Sequence, residues 1–326
     1  MKLFLIFGGI IILLVGGIFL FASNTSFEVK NPLLSMLSPS EKSERVAEEK
    51  KEGVAVLFGG DMQFDRYIRT VMKTRGNGFV LAPLTETLHS ADLVVANLEG
   101  PITDSSSVSE ISLSGEAKNY VFTFPPTTGA FLKKNHIDLV NIGNNHILNF
   151  KVEGVLQTKK YLSEAGVDSF GSPLEGDERI FIKEINGTKI AFVNYNQFIW
   201  KGKEKAFEDL NTVRGKADFT VVFTHWGTEY IEATDIMKML AHDFIDAGAD
   251  IVIGTHPHVV QTTEEYKGKK IYYSLGNFIF DQYFRPETQS GLLVRATFDP
   301  VAKGITTNEI PIRLKSSGQT VLQDTH

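Results

Sequence analysis

From residue 54 onward, short apolar runs rich in Val, Ile and Phe alternate with polar stretches, and the runs end repeatedly in Gly, Asn, His or an acid. VAVLFGGD (54–61), DLVVANLEG (92–100), IDLVNIGNNH (137–146), KIAFVNYNQ (189–197), FTVVFTHWG (219–227) and DIVIGTHPH (250–258) read as buried strands. Between them lie helical stretches, the clearest over 127–135, 152–165 and 235–247; in the second, Val155, Leu156, Tyr161 and Leu162 share one side. KIYYSLGNFIF (270–280) and GLLVRATFD (291–299) read as closing strands, and ITTNEIPIRL (305–314) as a further candidate. Strands separated by helices predict an α/β sheet, and the strand-rich tail points to a mixed or two-sheet core.

The residues that end these runs carry the chemistry. Asp61, Glu99, Asn145, His146, His225, His256 and His258 each follow an apolar strand. In open α/β sheets, ligands bind outside the carboxyl ends of the strands, where loops converge. A single His at a strand end is usually a capped or surface residue, but the whole set predicts one shared site. GTHPH (254–258) is the most specific element, because two His two residues apart after a strand can both turn toward one centre when the loop breaks the pleat, and Pro257 helps set that loop. One Asp, one Glu, one Asn and three His suffice for two metals that share a carboxylate. Such pairs, about 3.5–4 Å apart, activate water and stabilise both oxygens in a displacement at phosphorus or acyl carbon.

Composition narrows the ligand set and the partners. The chain has no Cys, which removes thiolate metal sites, iron–sulfur clusters, cysteine nucleophiles and disulfides. A transition metal must therefore be held by nitrogen and oxygen, and imidazole with carboxylate suits manganese, iron, zinc or magnesium, as one or two divalent ions. Lys and Arg number 33 against 39 Asp and Glu, a formal net charge of −6. That balance gives no basic footprint for nucleic acid.

The amino terminus points to a membrane. Residues 3–22, LFLIFGGIIILLVGGIFLFA, contain no charge and match the roughly 30 Å hydrocarbon core at about 1.5 Å per residue. The run is longer than a secretory h-region and lacks a small-x-small exit, so residues 1–22 read as an uncleaved anchor, with a cleaved signal peptide as the alternative. Lys2 sets the amino terminus in the cytoplasm and the bulk of the chain outside it. Residues 23–52, rich in Ser and mixed charge, read as a flexible linker, 53–315 as the domain, and 316–326 as a tail.

GGDMQFDR (59–66), NLEGPIT (97–103), GNNHILN (143–149), HWGTEY (225–230), GTHPHVVQ (254–261) and SLGNFIFD (274–281), in that order, resemble the bacterial capsule synthesis protein CapA family of poly-γ-glutamate capsule biosynthesis. The resemblance covers about 54–299. That family is itself similar to the calcineurin-like metallophosphoesterases. The resemblance implies a four-layer αββα sandwich with a dinuclear site at the sheet edge, a membrane anchor, and a role in an extracytoplasmic polymer. By motif it implies Asp61, Glu99, Asn145, His225, His256 and His258 as metal ligands, with Glu99 in the place of a bridging Asp. It also implies His146 as the acid that protonates the leaving oxygen.

Three positions depart from the pattern, the first being Glu99, one methylene longer than the Asp it replaces, a change that bears on the metal spacing. Gln63 stands where phosphoesterases carry a metal-binding His, and Asn149 where the family usually has an Asp that could orient an imidazole. Several further residues read two ways. Arg66 holds an anionic substrate or starts a helix at the surface, and Glu229 is an acid behind the ligands or a loop charge. Ser274 and Asn277 contact substrate or shape turns, Asn97 contacts substrate or stands behind the ligands, and Trp226 reads as core. The Ser-rich stretch 103–114 reads as a surface insertion near the site. Two functions follow as expectations: a metal-dependent hydrolase or transferase acting on an ester or amide of an anionic cell-envelope polymer or its precursor, or a non-catalytic subunit that keeps the pocket for binding among other membrane-bound capsule synthesis subunits.

Overall fold

Two β-sheets face each other through a layer of alternating apolar side chains. A computed structural model describes residues 53–323, apart from 111, 113–115 and 178. The expected anchor and linker, 1–52, lie outside the described residues. Among the described residues no helix is long and apolar enough to cross a membrane.

The first half of the domain runs β1 (Val54–Met62), α1 (Arg66–Arg75), α2 (Thr85–His89), β2 (Leu93–Leu98), α3 (Thr128–Lys134), β3 (Ile137–Asn141), α4 (Lys151–Ala165) and β4 (Asp168–Phe170). The second half runs β5 (Ile180–Ile185), β6 (Thr188–Asn196), α5 (Gly202–Val213), β7 (Phe219–His225), α6 (Asp235–Asp246) and β8 (Ile251–Thr255). It closes with β9 (Thr263–Tyr266), β10 (Lys269–Tyr272), β11 (Asn277–Ile279), β12 (Ser290–Asp299), β13 (Gly304–Leu314) and β14 (Thr320–Leu322). One sheet has the order β14-β13-β12-β1-β2-β3-β4, with β11 paired to the end of β1; the other has the order β5-β6-β7-β8-β10-β9.

Strand periodicity builds the layers. Val54, Val56 and Phe58 of β1 point between the sheets, where they meet Phe192, Val221, Phe223 and Ile253. Leu57 points the other way, into a core shared with Ile68, Leu132 and Val155 from the helices on that face. On the outer face of the second sheet, α6 buries Met237, Leu240, Ala241 and Phe244, the i, i+3, i+4, i+7 stripe of an amphipathic helix. Its start is fixed by Thr234, whose side chain accepts from the Met237 N–H at 3.3 Å. Helices, sheet, sheet and helices make the expected four-layer αββα arrangement.

Three local readings differ from the sequence expectation. Residues 270–280 are two strands in two different sheets, because the chain turns at Gly276, whose φ is +67°. Leu156 is exposed while Val155 and Leu162, seven apart, carry the contact face of α4. The stretch after residue 315 adds a strand, Thr320–Leu322, to the sheet edge through pairing with β13.

Candidate metal centre

The end of β1 is bent by its glycines. Pairing with β2 slips between Phe58 and Asp61, the mark of a bulge at Gly59–Gly60. A Cβ on Gly60 would collide with the carbonyl oxygen of Gly276. Glycine alone lets these backbones close, and the Asp61 N–H then donates to Gly276 O at 3.1 Å. Asp61 is thereby set at the carboxyl edge of the sheet, fully buried.

A ladder of asparagines ties this edge together. Asn97 donates to Asp61 Oδ1 at 2.8 Å, and its own oxygen accepts from Asn141 (3.0 Å) and Asn144 (3.2 Å). Asn141 in turn accepts from Asn194 of β6 at 2.9 Å, so the ladder crosses from one sheet to the other. Asn144 also caps the loop, its oxygen accepting from the His146 and Ile147 N–H groups at 3.1 and 3.0 Å. Asn97, Asn141 and Asn144 each use both ends of the amide, which suits a buried polar network. Asn141, Asn144 and Asn194 were not singled out from sequence; the repeated Asn at the strand ends is the signal that marks them.

The surroundings fix the His258 tautomer and the orientation of His225. His258 Nδ1 lies 3.0 Å from Asn277 Oδ1 and 3.2 Å from Asp61 Oδ2. Asn277 donates its amide hydrogens toward Thr288 O (2.9 Å) and Gln282 Oε1 (3.1 Å), so its oxygen accepts and Nδ1 of His258 carries the proton. The lone pair is left on Nε2, 3.5 Å from Glu99 Oε1. His225 is held at both ring nitrogens: Nδ1 lies 3.1 Å from Thr255 Oγ1 and 3.3 Å from the Asn97 amide nitrogen, and Nε2 lies 2.9 Å from Asn145 Oδ1. The Thr255 hydroxyl in turn donates to Thr224 O at 2.7 Å. The His256 N–H donates to Asp61 Oδ2 at 3.1 Å, and its backbone (φ +96°), like that of His258 (φ +59°), is in the left-handed region that costs a non-glycine residue about 1–3 kcal/mol.

Two triads emerge with one residue in common. Asp61, Glu99 and His258 can place one ligand atom each within 4.8 Å of one another, and so can Glu99, His225 and His256. Glu99 is fully buried, and neither of its oxygens has a hydrogen-bond partner; the same holds for His256 Nδ1 and for both amide atoms of Gln63. Buried polar atoms are paired in nearly all native sites, and a bare carboxylate is the costliest kind to leave alone. A lone pair from each of three imidazoles, a shared carboxylate and an amide oxygen form a donor set that fits divalent cations.

The charge states say the same. Burial, then the neighbouring charge of Asp61, pushes Glu99 well above the usual carboxylate range. For Asp61 burial acts in the same direction, but the hydrogen bond and charge of His258, with His225 and Asn97, outweigh it and hold the group below its ordinary range. Burial lowers His225 well below its ordinary value, and pushes His256 down to about 3, helped by His258. Lone pairs are available on the rings at neutral pH, and the carboxylate that resists ionisation is the one between them. A cation there would reverse the penalty on Glu99.

His146 sits beside this set. Its Nε2 is 4.0 Å from Glu99 Oε1, and its Nδ1 is 3.2 Å from Asn149 Oδ1, which also accepts from the Phe122 N–H at 2.8 Å. Asn149 thus orients the ring with an amide oxygen, the task foreseen for the missing Asp. Burial pushes His146 down to about 4, so its Nε2 is unprotonated at neutral pH.

The remaining sequence-derived residues divide. Arg66 is not free: its guanidinium is bidentate on Asp281, reaches Asn119 Oδ1 at 3.1 Å, and covers the Phe122 ring at 5.0 Å. Asn277 and Asn97 hold ligands in place. Ser274 serves the turn, its hydroxyl accepting from the Gly276 N–H at 3.1 Å. Glu229 hydrogen-bonds Tyr230 and adds to the field that raises Glu99. Trp226 is core, donating to Tyr273 O at 2.9 Å. Of the 103–114 stretch, Ser109, Glu110 and Ser112 line a cleft together with Arg66.

Comparison with known proteins agrees with this architecture. The chain is 28% identical over 258 residues to the PGA biosynthesis protein CapA of Bacillus subtilis, covering 74% of this chain and 67% of that protein. It is 28% identical over 271 residues to the capsule biosynthesis protein CapA of Bacillus anthracis, covering 76% and 65%. The matched region thus spans about two thirds of the length of these curated relatives. A crystal structure of a phosphatase from Mycoplasma pneumoniae superposes with a TM-score of 0.52 at 16% identity, over 81% of this chain and 94% of that one, a likeness of fold. Residues 55–282 match the model of the bacterial capsule synthesis protein PGA_cap, and the chain belongs to that family.

Proposed function

We propose that the chain is a CapA-type accessory protein of capsule or poly-glutamate biosynthesis, held at the membrane by residues 3–22 with its domain outside the cytoplasm. In this reading the strand-end cluster holds one or two divalent ions and hydrolyses or transfers an ester or amide of a cell-envelope polymer. The observation that carries the catalytic part is Glu99, a buried carboxylate shared by two ligand triads and lacking any hydrogen-bond partner. Divalent ions supply an activated water and charge stabilisation in such sites. The chain's own residues do the rest. Asn277 keeps Nε2 of His258 free of protons, while Thr255 and Asn145 hold the His225 ring at its two nitrogens. The asparagine ladder holds Asp61, and His146 takes up and returns a proton at Nε2 while Asn149 fixes its ring.

A second reading, a binding subunit without turnover, draws on Gln63. Its amide replaces an imidazole and weakens one of the two ion positions. Elemental analysis of the purified protein, with turnover assays on an aryl phosphodiester and on a γ-glutamyl amide, separates the two. Bound metal with turnover supports the enzyme; bound metal without turnover supports the binding subunit; no metal, and no thermal shift on adding manganese, iron, zinc or magnesium, removes the enzyme and leaves a vestigial pocket. Protease added to intact spheroplasts tests the topology, and full-length protein shielded from it would overturn the external placement.

A further inference from the structure

Glu229 and His258 are joined by hydrogen bonds that all run one way. The Tyr230 hydroxyl donates to the Glu229 carboxylate. Its oxygen accepts from Gln282 Nε2 at 3.1 Å, which turns Gln282 Oε1 toward the Asn277 amide nitrogen, again at 3.1 Å. Asn277 Oδ1 then accepts from His258 Nδ1 at 3.0 Å, and Nε2 of His258 is left facing Glu99. Either amide taken alone could be turned end for end, because its oxygen and nitrogen have the same shape. The two ends of the path remove that freedom. The Glu229 carboxylate only accepts, and so does Thr288 O, which takes a hydrogen from Asn277 at 2.9 Å.

The backbone holds this path in place. Tyr230 adopts φ +65°, a strained conformation for a non-glycine residue, and its N–H donates at 2.9 Å to the carbonyl of Pro257, between His256 and His258. Gln282 is tied from the other side, its carbonyl oxygen accepting from the Thr288 hydroxyl at 2.6 Å. The loop after β7 and the loop after β11 thus converge on Asn277, which is fully buried. Tyr230 and Gln282 also line a cleft of about 630 Å³, so the path runs from the wall of that cleft to a member of the histidine cluster. Packing alone would be served by any side chain of the right size at 282. What Gln282 adds is a donor at one end of its amide and an acceptor at the other, each matched to its partner.

We propose that Glu229, Tyr230 and Gln282 are positioning residues that act through Asn277 to keep the His258 proton on Nδ1 and its lone pair on Nε2. The consequence for ion binding rests on the cluster being a metal site; the tautomer does not, so the two are measured apart. Full-length protein in detergent, isotopically labelled at the histidine nitrogens and freed of metal by chelation, is compared at pH 8 with Q282M and Y230F. Met keeps the volume of Gln282 without either amide group, and Phe keeps the ring beside His258 without the hydroxyl. Nitrogen–proton correlation spectra of the eight His, with His258 assigned through H258A, read the tautomer. The parent is expected to carry the His258 proton on Nδ1 alone, and both variants to show a mixture of the two tautomers. Manganese affinity in chelator competition is expected to fall about three- to tenfold in both, the usual worth of one hydrogen bond. A pure Nδ1–H signal in both variants would overturn the proposal whatever the affinity, because Thr288 O and Asp61 would then suffice. So would a parent that carries the proton on Nε2. Mixed tautomers in the variants of a parent that binds no metal would uphold the positioning role and overturn the metal reading.

Discussion

Asn277 Oδ1 lies 3.0 Å from His258 Nδ1, and this contact decides which nitrogen of His258 faces Glu99. Groups that fix the tautomer of a ligating His typically contribute about 10–100-fold to metal affinity. Asn277→Ala is therefore expected to weaken manganese or zinc binding by that order in chelator competition. Affinity equal to that of the parent protein would show that Asp61 Oδ2, 3.2 Å from the same nitrogen, is sufficient.

Glu99 gives a pH-dependent prediction in chelated protein. Its folded-state pKa is raised above the ordinary 4.5 by burial and by Asp61. Between 4.5 and that raised value the folded state holds a proton that the unfolded state has lost, so this group costs stability as pH rises through the window. Glu99→Gln removes the cost. Without metal, the variant should melt higher than the parent at pH 7–8, with the difference shrinking toward pH 4.5, and it should no longer gain stability when metal is added. A lower melting temperature than the chelated parent at pH 8 would contradict the buried, unpartnered carboxylate.

Gly60→Ala tests the link between the β1 bulge and the site. The added methyl would meet the Gly276 carbonyl, and overpacking of this kind costs about 1–3 kcal/mol. Urea denaturation should show that loss, accompanied by weaker metal binding because Asp61 is the next residue. Unchanged stability would mean that the backbone relaxes without disturbing the strand end.

The sequence shows the strands of this fold well because their runs of Val, Ile and Phe are buried on both faces. It shows β4, β5 and β9 poorly, since Asp168–Phe170 is three residues long and Ile180–Ile185 is only half-buried. The ligand set is legible for a chemical reason: His and acids after apolar strands have few structural uses. What periodicity cannot show is pairing. Arg66 looks available in sequence, yet Asp281, more than two hundred residues away, occupies it. The asparagine ladder is likewise a product of topology, because β6 and β3 meet only when the two sheets face each other. The break at Gly276 escaped because apolar residues continue on both sides of it, although they enter different sheets.

His146 separates ligation from proton transfer. Its Nδ1 proton is committed to Asn149, and its Nε2 is 4.0 Å from Glu99 and outside both ligand triads. His146→Ala is thus expected to keep the parent's metal content while lowering turnover of an aryl phosphodiester by about 10²–10⁴-fold, the usual contribution of a positioned proton-transfer group. Stability offers an independent readout in the chelated protein. With the folded pKa pushed down to about 4, the unfolded state binds the proton first as pH falls from 6.5, and the parent loses stability through that window. The alanine variant should lose less over the same range. Metal lost together with turnover would make His146 a ligand; metal retained with turnover undiminished would make it a structural partner of Asn149 and Phe122.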